Sequence, residues 1–502
     1  MNIVFVAHGG LASQSTYHII SIAEQLILLE HCCIVCIPLP IPENEKNILE
    51  TAVRVVSFDE VKQASVGFPN DRPPDLIHCW TPREVPKCFT EYLSLRYSCP
   101  YFVHLEDNER EILNRELEGI SYSELASLPE DQQNQYIVNN ASWRIHPAWH
   151  WEFLKNSSGC TVLIDRLKEH VPSGIPVQLF WPGYDSFFLT NPTKTKNELR
   201  SSLKIPDDGF VVLYSGAFHG INIGEVSRMM AVLSILRKRG MPVYLIKTGA
   251  NYCPDLLIDG IQRGWVRDMG VLPRAELVNM YALTDVLIQP GHSDPFNDYR
   301  FPSKLPEALI SKVPVILPYC NLGKNLINRK EAIITYEGSM DELSKKLIWI
   351  YTHPEETRKI AQGGYEFALQ NLNWKKTAAL LERFYCNSLH LSREQLKEEK
   401  LLQEEQTDYL TVTSDTTYGT LLGYLNAPYD PKELIESCFR FFPHNDKYKD
   451  ACDMTSKASG TEIYLMKKIR KKSRHFKRLV FFSILEFFVI IFLVFILCYF
   501  IV

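Results

Sequence analysis

Two successive stretches of this chain alternate short apolar runs with amphipathic helical segments, and a polar, lysine-rich segment at residues 191–202 separates them. A proline-marked polar loop, GHSDPFNDYRFPSK, interrupts the second stretch between two apolar runs. These observations predict an α/β protein of two Rossmann-like domains facing a central cleft, plus a C-terminal extension and one transmembrane helix. At 502 residues the chain exceeds one ordinary domain, and 46% hydrophobic with 23% charged residues is a globular balance. A net charge of -5 argues against a nucleic-acid partner. The 13 cysteines are scattered through strand-like runs such as HCCIVCI, which reads as buried free thiols instead of a disulfide scaffold or metal site.

In chain order, NIVFVA reads as a first buried strand and residues 15–29 as its helix. Strands follow at residues 34–39, 75–80 and 100–105, with weaker elements at 53–58. A charged insert over residues 108–140 reads as helical and surface-lying, a short strand returns at 161–164, and a short apolar segment follows at 177–180. In the second stretch, strands are expected at 210–214, 243–247, 261–266 and 286–289, and helices at 223–239 and 276–282. The predicted divisions are 1–190 for a first Rossmann-like domain and 191–390 for a second one with a return helix. Residues 391–466 form an extension, and 467–502 a basic flank and anchor.

The last segment carries the membrane expectation. Residues 479–502 are apolar except for Ser483 and Glu486, and as a helix they would extend about 36 Å. Lys467, Lys468, Arg470, Lys471, Lys472, Arg474, Lys477 and Arg478 precede them, which predicts a single-pass membrane protein with its catalytic part cytoplasmic.

The segment GHSDPFNDYRFPSKLPEALISKVPVILP places a ligand crevice at the carboxyl ends of parallel strands. Ser303 is a candidate N-cap, Pro306 fits a first turn, and Glu307 follows one turn into the helix. Lys304 beside free first-turn amides is a point charge for phosphate. A sugar nucleotide uses both kinds of group, cations for the diphosphate and a carboxylate for hydroxyls. The plainer alternative is a capped helix with Lys304 in water. Asn297, Asp298, Tyr299 and Arg300 crowd polar and aromatic groups before it, which favours a site. His104, at a first-domain strand end, is placed to contact a transferred sugar or an acceptor hydroxyl, although the default for a histidine is core or surface. Glu106, Asp107 and Glu109 suit acceptor hydroxyls or a solvated loop. Gly9 and Gly10 allow close backbone approach to a ligand, but HGGLAS lacks the dinucleotide fingerprint.

FNDYRFPSKLPEALISKVPVIL resembles the donor-site segment of family 4 glycosyltransferases, the retaining enzymes of the GT-B fold. VLYSGAFHG, DMGVLPRAELVNMYALTDVLIQP, WPGYDSFF and YFVHLEDNERE resemble further segments of that family, over roughly residues 1–390. The resemblance implies that Glu307 holds the ribose hydroxyls, that Ser303 and Lys304 lie near the diphosphate, and that Gly216 approaches the donor. It implies an active-site role for His104. The family's Glu-x7-Glu pair has Tyr299 where its first acid belongs, and Asp298, Asn297 or Asp294 are the candidates to replace it. Its Arg/Lys pair is also missing, leaving Lys247 as a candidate for the diphosphate; Arg300 belongs to the same donor set.

The implied activity is glycosyl transfer from a nucleotide-diphosphate sugar to a glycan or lipid-linked acceptor, with retention, without metal or cofactor, in cell-surface polysaccharide or glycolipid synthesis. The competing readings are a non-catalytic sugar-nucleotide-binding or scaffold subunit of a glycan assembly complex, and an epimerase or phosphorylase on a related fold.

Overall fold

The computed structural model describes residues 1–11, 13–41, 51–63, 67–117 and 119–389, the Arg274 side chain excepted. Seven strands form the first sheet: β1 (Asn2–Val6), β2 (Cys32–Ile37), β3 (Arg54–Ser57), β4 (Leu76–Trp80), β5 (Tyr101–Leu105), β6 (Gly159–Val162) and β7 (Val177–Leu179). All pair in parallel, in the order β3-β2-β1-β4-β5-β6-β7. The second sheet has six: β8 (Phe210–Ser215), β9 (Val243–Thr248), β10 (Val266–Asp268), β11 (Val286–Ile288), β12 (Val315–Pro318) and β13 (Ile333–Thr335). Its order is β10-β9-β8-β11-β12-β13, again parallel.

Helices cover both faces of each sheet, which is why central strands such as FVVLYS are apolar throughout and buried along their whole length. The helix Gln14–Leu28 starts where Ser13 Oγ accepts the Thr16 amide at 3.1 Å, and it buries Ile19, Ile20, Ile22, Ala23 and Leu26. The helix Ile223–Lys238 does the same for the second sheet through Val226, Met229, Leu233 and Leu236. The charged insert forms three helices, Glu109–Glu116, Tyr122–Ser127 and Glu130–Asn140. It is more than a surface layer, because Leu113, Leu125, Ile137, Ala141 and Ile145 make an apolar cluster of their own.

The chain crosses between the domains twice, and the crossings are tied together. Tyr184 N donates to Leu372 O at 2.9 Å, and Thr377 Oγ1 to Trp181 O at 2.8 Å. The final described helix, Trp374–Ser388, therefore packs on the first domain, where Tyr385 Oη lies 2.6 Å from His78 Nδ1 and His31 Nε2 lies 3.3 Å from Glu382.

Three local expectations change. The strand expected at 261–266 is instead the helix Ile258–Gln262 followed by β10, because Gly264 at φ +71° ends the helix and Val266 is the first residue to pair with β9. Strand β13 was not anticipated. Ser303 does not cap: its backbone is already helical (φ -58°, ψ -21°) and its side chain accepts no first-turn amide.

The transmembrane helix is also corrected. No helix among the described residues is long and apolar enough to cross a membrane. The longest, Pro354–Asn371, has 18 residues and carries Glu355, Glu356, Arg358, Lys359 and Glu366. Residues 479–502, on which the expectation rested, lie outside the described residues, as does the extension over 391–466. The fold class is therefore two parallel sheets flanked by helices. The membrane partner, the single-pass localisation and the cytoplasmic orientation rested on the 479–502 segment and have no support among the described residues.

Candidate active site

A polar crevice with a volume of about 400 Å³ lies at the carboxyl ends of β8, β9 and β11. Strand order reverses between β8 and β11, so the loops that follow them diverge and leave a gap there. Tyr214, Ser215 and Gly216 line it from β8, Thr248 and Gly249 from β9, and Gln289 from β11. Arg300, Ser303, Lys304 and Glu307 close the third side, and Gln14 and Asp107 face them from the first domain.

Two glycines set the floor. Gly216 (φ +144°) and Gly249 (φ +89°) both adopt backbone geometry that a side chain strains. A Cβ on Gly249 would lie 2.8 Å from the Gly216 carbonyl, and one on Gly216 would lie 3.2 Å from Lys304 Nζ. Beneath them Lys247 is fully buried, and its ammonium donates to Gly249 O and, at 2.8 Å, to Ala250 O, with Asp268 at 3.5 Å. Lys247 thus pins the loop from below and does not enter the crevice.

Lys304 does enter it. Its Nζ sits 4.1 Å from the centroid of the Tyr214 ring, at the first residue of the helix Lys304–Ile310. Burial, then the neighbouring Arg300 charge, push its pKa down to about 7, against the opposing pull of Glu225. Arg300 stacks on Phe296 at 4.4 Å and lies 3.9 Å from Glu225. Glu307 Oε2 accepts from Tyr281 Oη at 3.3 Å, which orients the carboxylate from the buried side. Asp107 is the acid that the first domain presents. Burial, then Glu109 and Glu106, push its carboxyl up to about 6, with Arg83 and Arg300 opposing.

The acidic run after β5 is divided by the structure. Glu106 is held by Trp80 Nε1 at 2.8 Å and by Ser15 Oγ, and Glu109 accepts from Arg83 Nε at 2.9 Å. Asp107 alone of the three lines the crevice. His104 is fully buried, sandwiched by Trp80 at 3.9 Å and Phe180 at 4.8 Å. Its Nδ1 lies 2.7 Å from Thr161 Oγ1, which also meets His78 Nε2 at 3.0 Å. Burial pushes its pKa down to about 3, so the ring is neutral. Gly10 does not line the crevice, and a side chain there would meet only Leu39 at 3.7 Å; Gly9, 2.6 Å from Ser13 by the same measure, is the tight position.

The loop before the helix splits likewise. Asn297 donates from Nδ2 to Glu225 Oε1 at 2.5 Å, and neither residue lines the crevice. Asp298 points away: its Oδ2 accepts from Arg166 Nη1 of the first domain and from Ser293 Oγ at 2.9 Å, with Lys324 at 3.6 Å. Tyr299, which stands where the first acid of the pair was sought, donates to Glu169 at 2.7 Å and accepts from Arg166 Nε at 3.1 Å. Asp294, the remaining candidate, accepts the Phe296 and Asn297 amides at 2.9 and 2.6 Å. Ligating atoms of Glu225, His292 and Asp294 lie within 4.8 Å of one another. Arg300, Arg228 and Arg115 flank them at 3.9, 3.4 and 3.8 Å, so the carboxylates are already matched by guanidinium groups. Sequence reasoning missed Glu225 and Tyr281. An acid in the first turn of the helix after β8 was the signal for the former; nothing local marked the latter.

No family model matches the chain, and no curated protein does. Solved structures do. HepE of Anabaena in complex with UDP aligns over 77% of this chain and 100% of its own, with 15% identity and a TM-score of 0.54. Sucrose-phosphate synthase from Thermosynechococcus elongatus covers 78% and 100%, at 14% identity and a TM-score of 0.56. A glycosyltransferase from Rickettsia africae covers 78% and 99%, at 11% identity and 0.54. The fold is GT-B. At such identities the likeness extends to architecture, so the assignment to family 4 with a membrane anchor is corrected to the GT-B fold alone.

Proposed function

We propose that this chain transfers a glycosyl unit from a nucleotide-diphosphate sugar to a hydroxyl of a glycan or lipid-linked acceptor. The observation that carries the reading is the convergence of Lys304, Arg300, Ser303 and Glu307 over the Gly216–Gly249 floor, with Asp107 opposite. Lys304 and Arg300 neutralise the diphosphate as the glycosidic bond breaks and charge builds on the leaving phosphate; no divalent metal is needed for that role. The Gly216 backbone makes room for the phosphates to approach. Glu307, steadied by Tyr281, accepts the ribose hydroxyls. Asp107 accepts a hydroxyl of the transferred sugar or of the acceptor. Retention by same-face attack fits this assignment, because each lining carboxylate already has a binding role. Closure of the cleft on its substrates would exclude water, which otherwise competes as acceptor.

Saturation-transfer NMR against UDP-, GDP-, dTDP- and CMP-linked sugars tests the donor half. One selective nucleotide signal is expected, lost in Lys304→Met and Glu307→Ala. Chromatography of the same mixtures with glycan acceptors tests turnover. Donor binding without product, across acceptors, would favour the scaffold reading instead, whereas no binding to folded protein would end the donor assignment.

A further inference from the structure

Building on the donor-site reading, we infer that Arg166 is a positioning residue: reaching from the first domain, it clamps Asp298 and Tyr299 and so holds the donor loop in its working geometry only while the domains are closed. Arg166 lies in the 3-10 turn Asp165–His170 that follows the first-domain strand β6. Its Nη1 pairs with Asp298 Oδ2, its Nε donates to Tyr299 Oη at 3.1 Å, and its guanidinium lies 5.0 Å from the Tyr299 ring centroid. Glu169 takes the Tyr299 hydroxyl proton in a hydrogen bond at 2.7 Å, and His170 meets the same ring edge-on at 5.0 Å.

The loop gripped in this way leads directly into Arg300, which lines the crevice. Asn297 and Arg300 flank the clamped pair and both engage Glu225, at 2.5 and 3.9 Å. Phe296, one residue earlier, lies between two guanidinium groups, Arg300 of its own domain at 4.4 Å and Arg115 of the first domain at 4.7 Å. Asp298 is 3% exposed while Arg166 is 43% exposed. The acid is therefore a fixed socket, and the arginine a removable plug inserted from the solvent side. Without Arg166, the buried Asp298 carboxylate keeps Ser293 and, as its remaining cation, the half-exposed Lys324 at 3.6 Å. That deficit favours a rearranged loop, which displaces Arg300. A tyrosine suits this position where an acid would not, since a second carboxylate would face Glu169.

The test uses the full chain with Arg166→Ala, Arg166→Lys, Asp298→Asn and the Arg166→Ala/Asp298→Asn double variant. Hydrogen exchange is measured first, without ligand. Amides over residues 291–300 and 165–170 should exchange on the order of tenfold faster in Arg166→Ala, and the helix Gln14–Leu28 should not change. In sugar-transfer assays kcat should fall on the order of 10- to 100-fold, with a larger share of donor lost to hydrolysis, and the Kd for the free nucleoside diphosphate should rise as Arg300 is displaced. Arg166→Lys should recover part of kcat, and the double variant should be no worse than either single one. Unchanged exchange in Arg166→Ala would overturn the clamp whatever the activity. Faster exchange with unaltered kcat and hydrolysis would overturn its positioning role. If wild-type protein turns over no sugar nucleotide, the transferase reading fails separately, and the exchange measurement still decides the clamp.

Discussion

Lys304 is a cation held at the edge of deprotonation, and that sets a pH dependence. Its folded-state pKa of about 7 lies below the ordinary 10.5. Between those values the native state binds fewer protons than the unfolded one, so this group's cost to stability is full below pH 7 and is relieved as pH rises toward 10.5. Donor binding runs the other way. A bound diphosphate favours the ammonium, so affinity for a sugar nucleotide should be highest below pH 7 and fall above it, by at most about tenfold per pH unit. Calorimetry at pH 6.5 and 8.5 should show this fall together with proton uptake at the higher pH, and Lys304→Met should bind weakly with neither. His104 makes a different prediction. Buried between Trp80 and Phe180, it belongs to a hydrogen-bonded chain that runs through Thr161 and His78 to Tyr385. His104→Ala should cost about 2–4 kcal/mol in denaturant melts, as a cavity plus an unpaired hydroxyl. A variant that melts like wild type but fails to transfer sugar would return His104 to the active site.

Among elements, the two turns after β8 and β9 depend on each other. Gly249→Ala places a methyl 2.8 Å from the Gly216 carbonyl at a positive φ, and neither strand end can yield, because Phe210–Ser215 and Val243–Thr248 pair along their full length. The substitution should destabilise by roughly 1–3 kcal/mol and weaken donor binding at the same time, measured by thermal melts with and without nucleotide. Most strands were legible because both faces of these sheets are covered, which leaves continuous apolar runs. The edge of the second sheet was less so: VRD, in β10, pairs on one side only and is hardly apolar. Ser303 had the right residue type for a cap, but the turn from Pro302 makes its backbone helical, with Leu305 N bonded to Pro302 O at 3.0 Å.

Across the molecule, sequence reasoning found the crevice and much of its lining but not the direction each side chain takes. Asn297, Asp298, Tyr299 and Arg300 are consecutive, yet two face Glu225 and two face the other domain. Such a division depends on Arg166 and Glu169, more than a hundred positions away. Lys247 was chosen for its place at a strand end, and the carbonyls of Gly249 and Ala250 claim it. Tyr281 carried no local mark and Glu225 only its first-turn position, because the partners of both are long-range.

The most direct measurement is calorimetric titration of wild-type and Glu307→Ala proteins with the four classes of nucleotide-diphosphate or nucleotide-monophosphate sugar. The donor-site reading predicts binding of one nucleotide class by the wild type, weakened on the order of 10- to 100-fold in the variant with its melting point kept, since ribose hydroxyls lose a charged acceptor. Equal affinity in both proteins, or no binding by folded wild type, would contradict it.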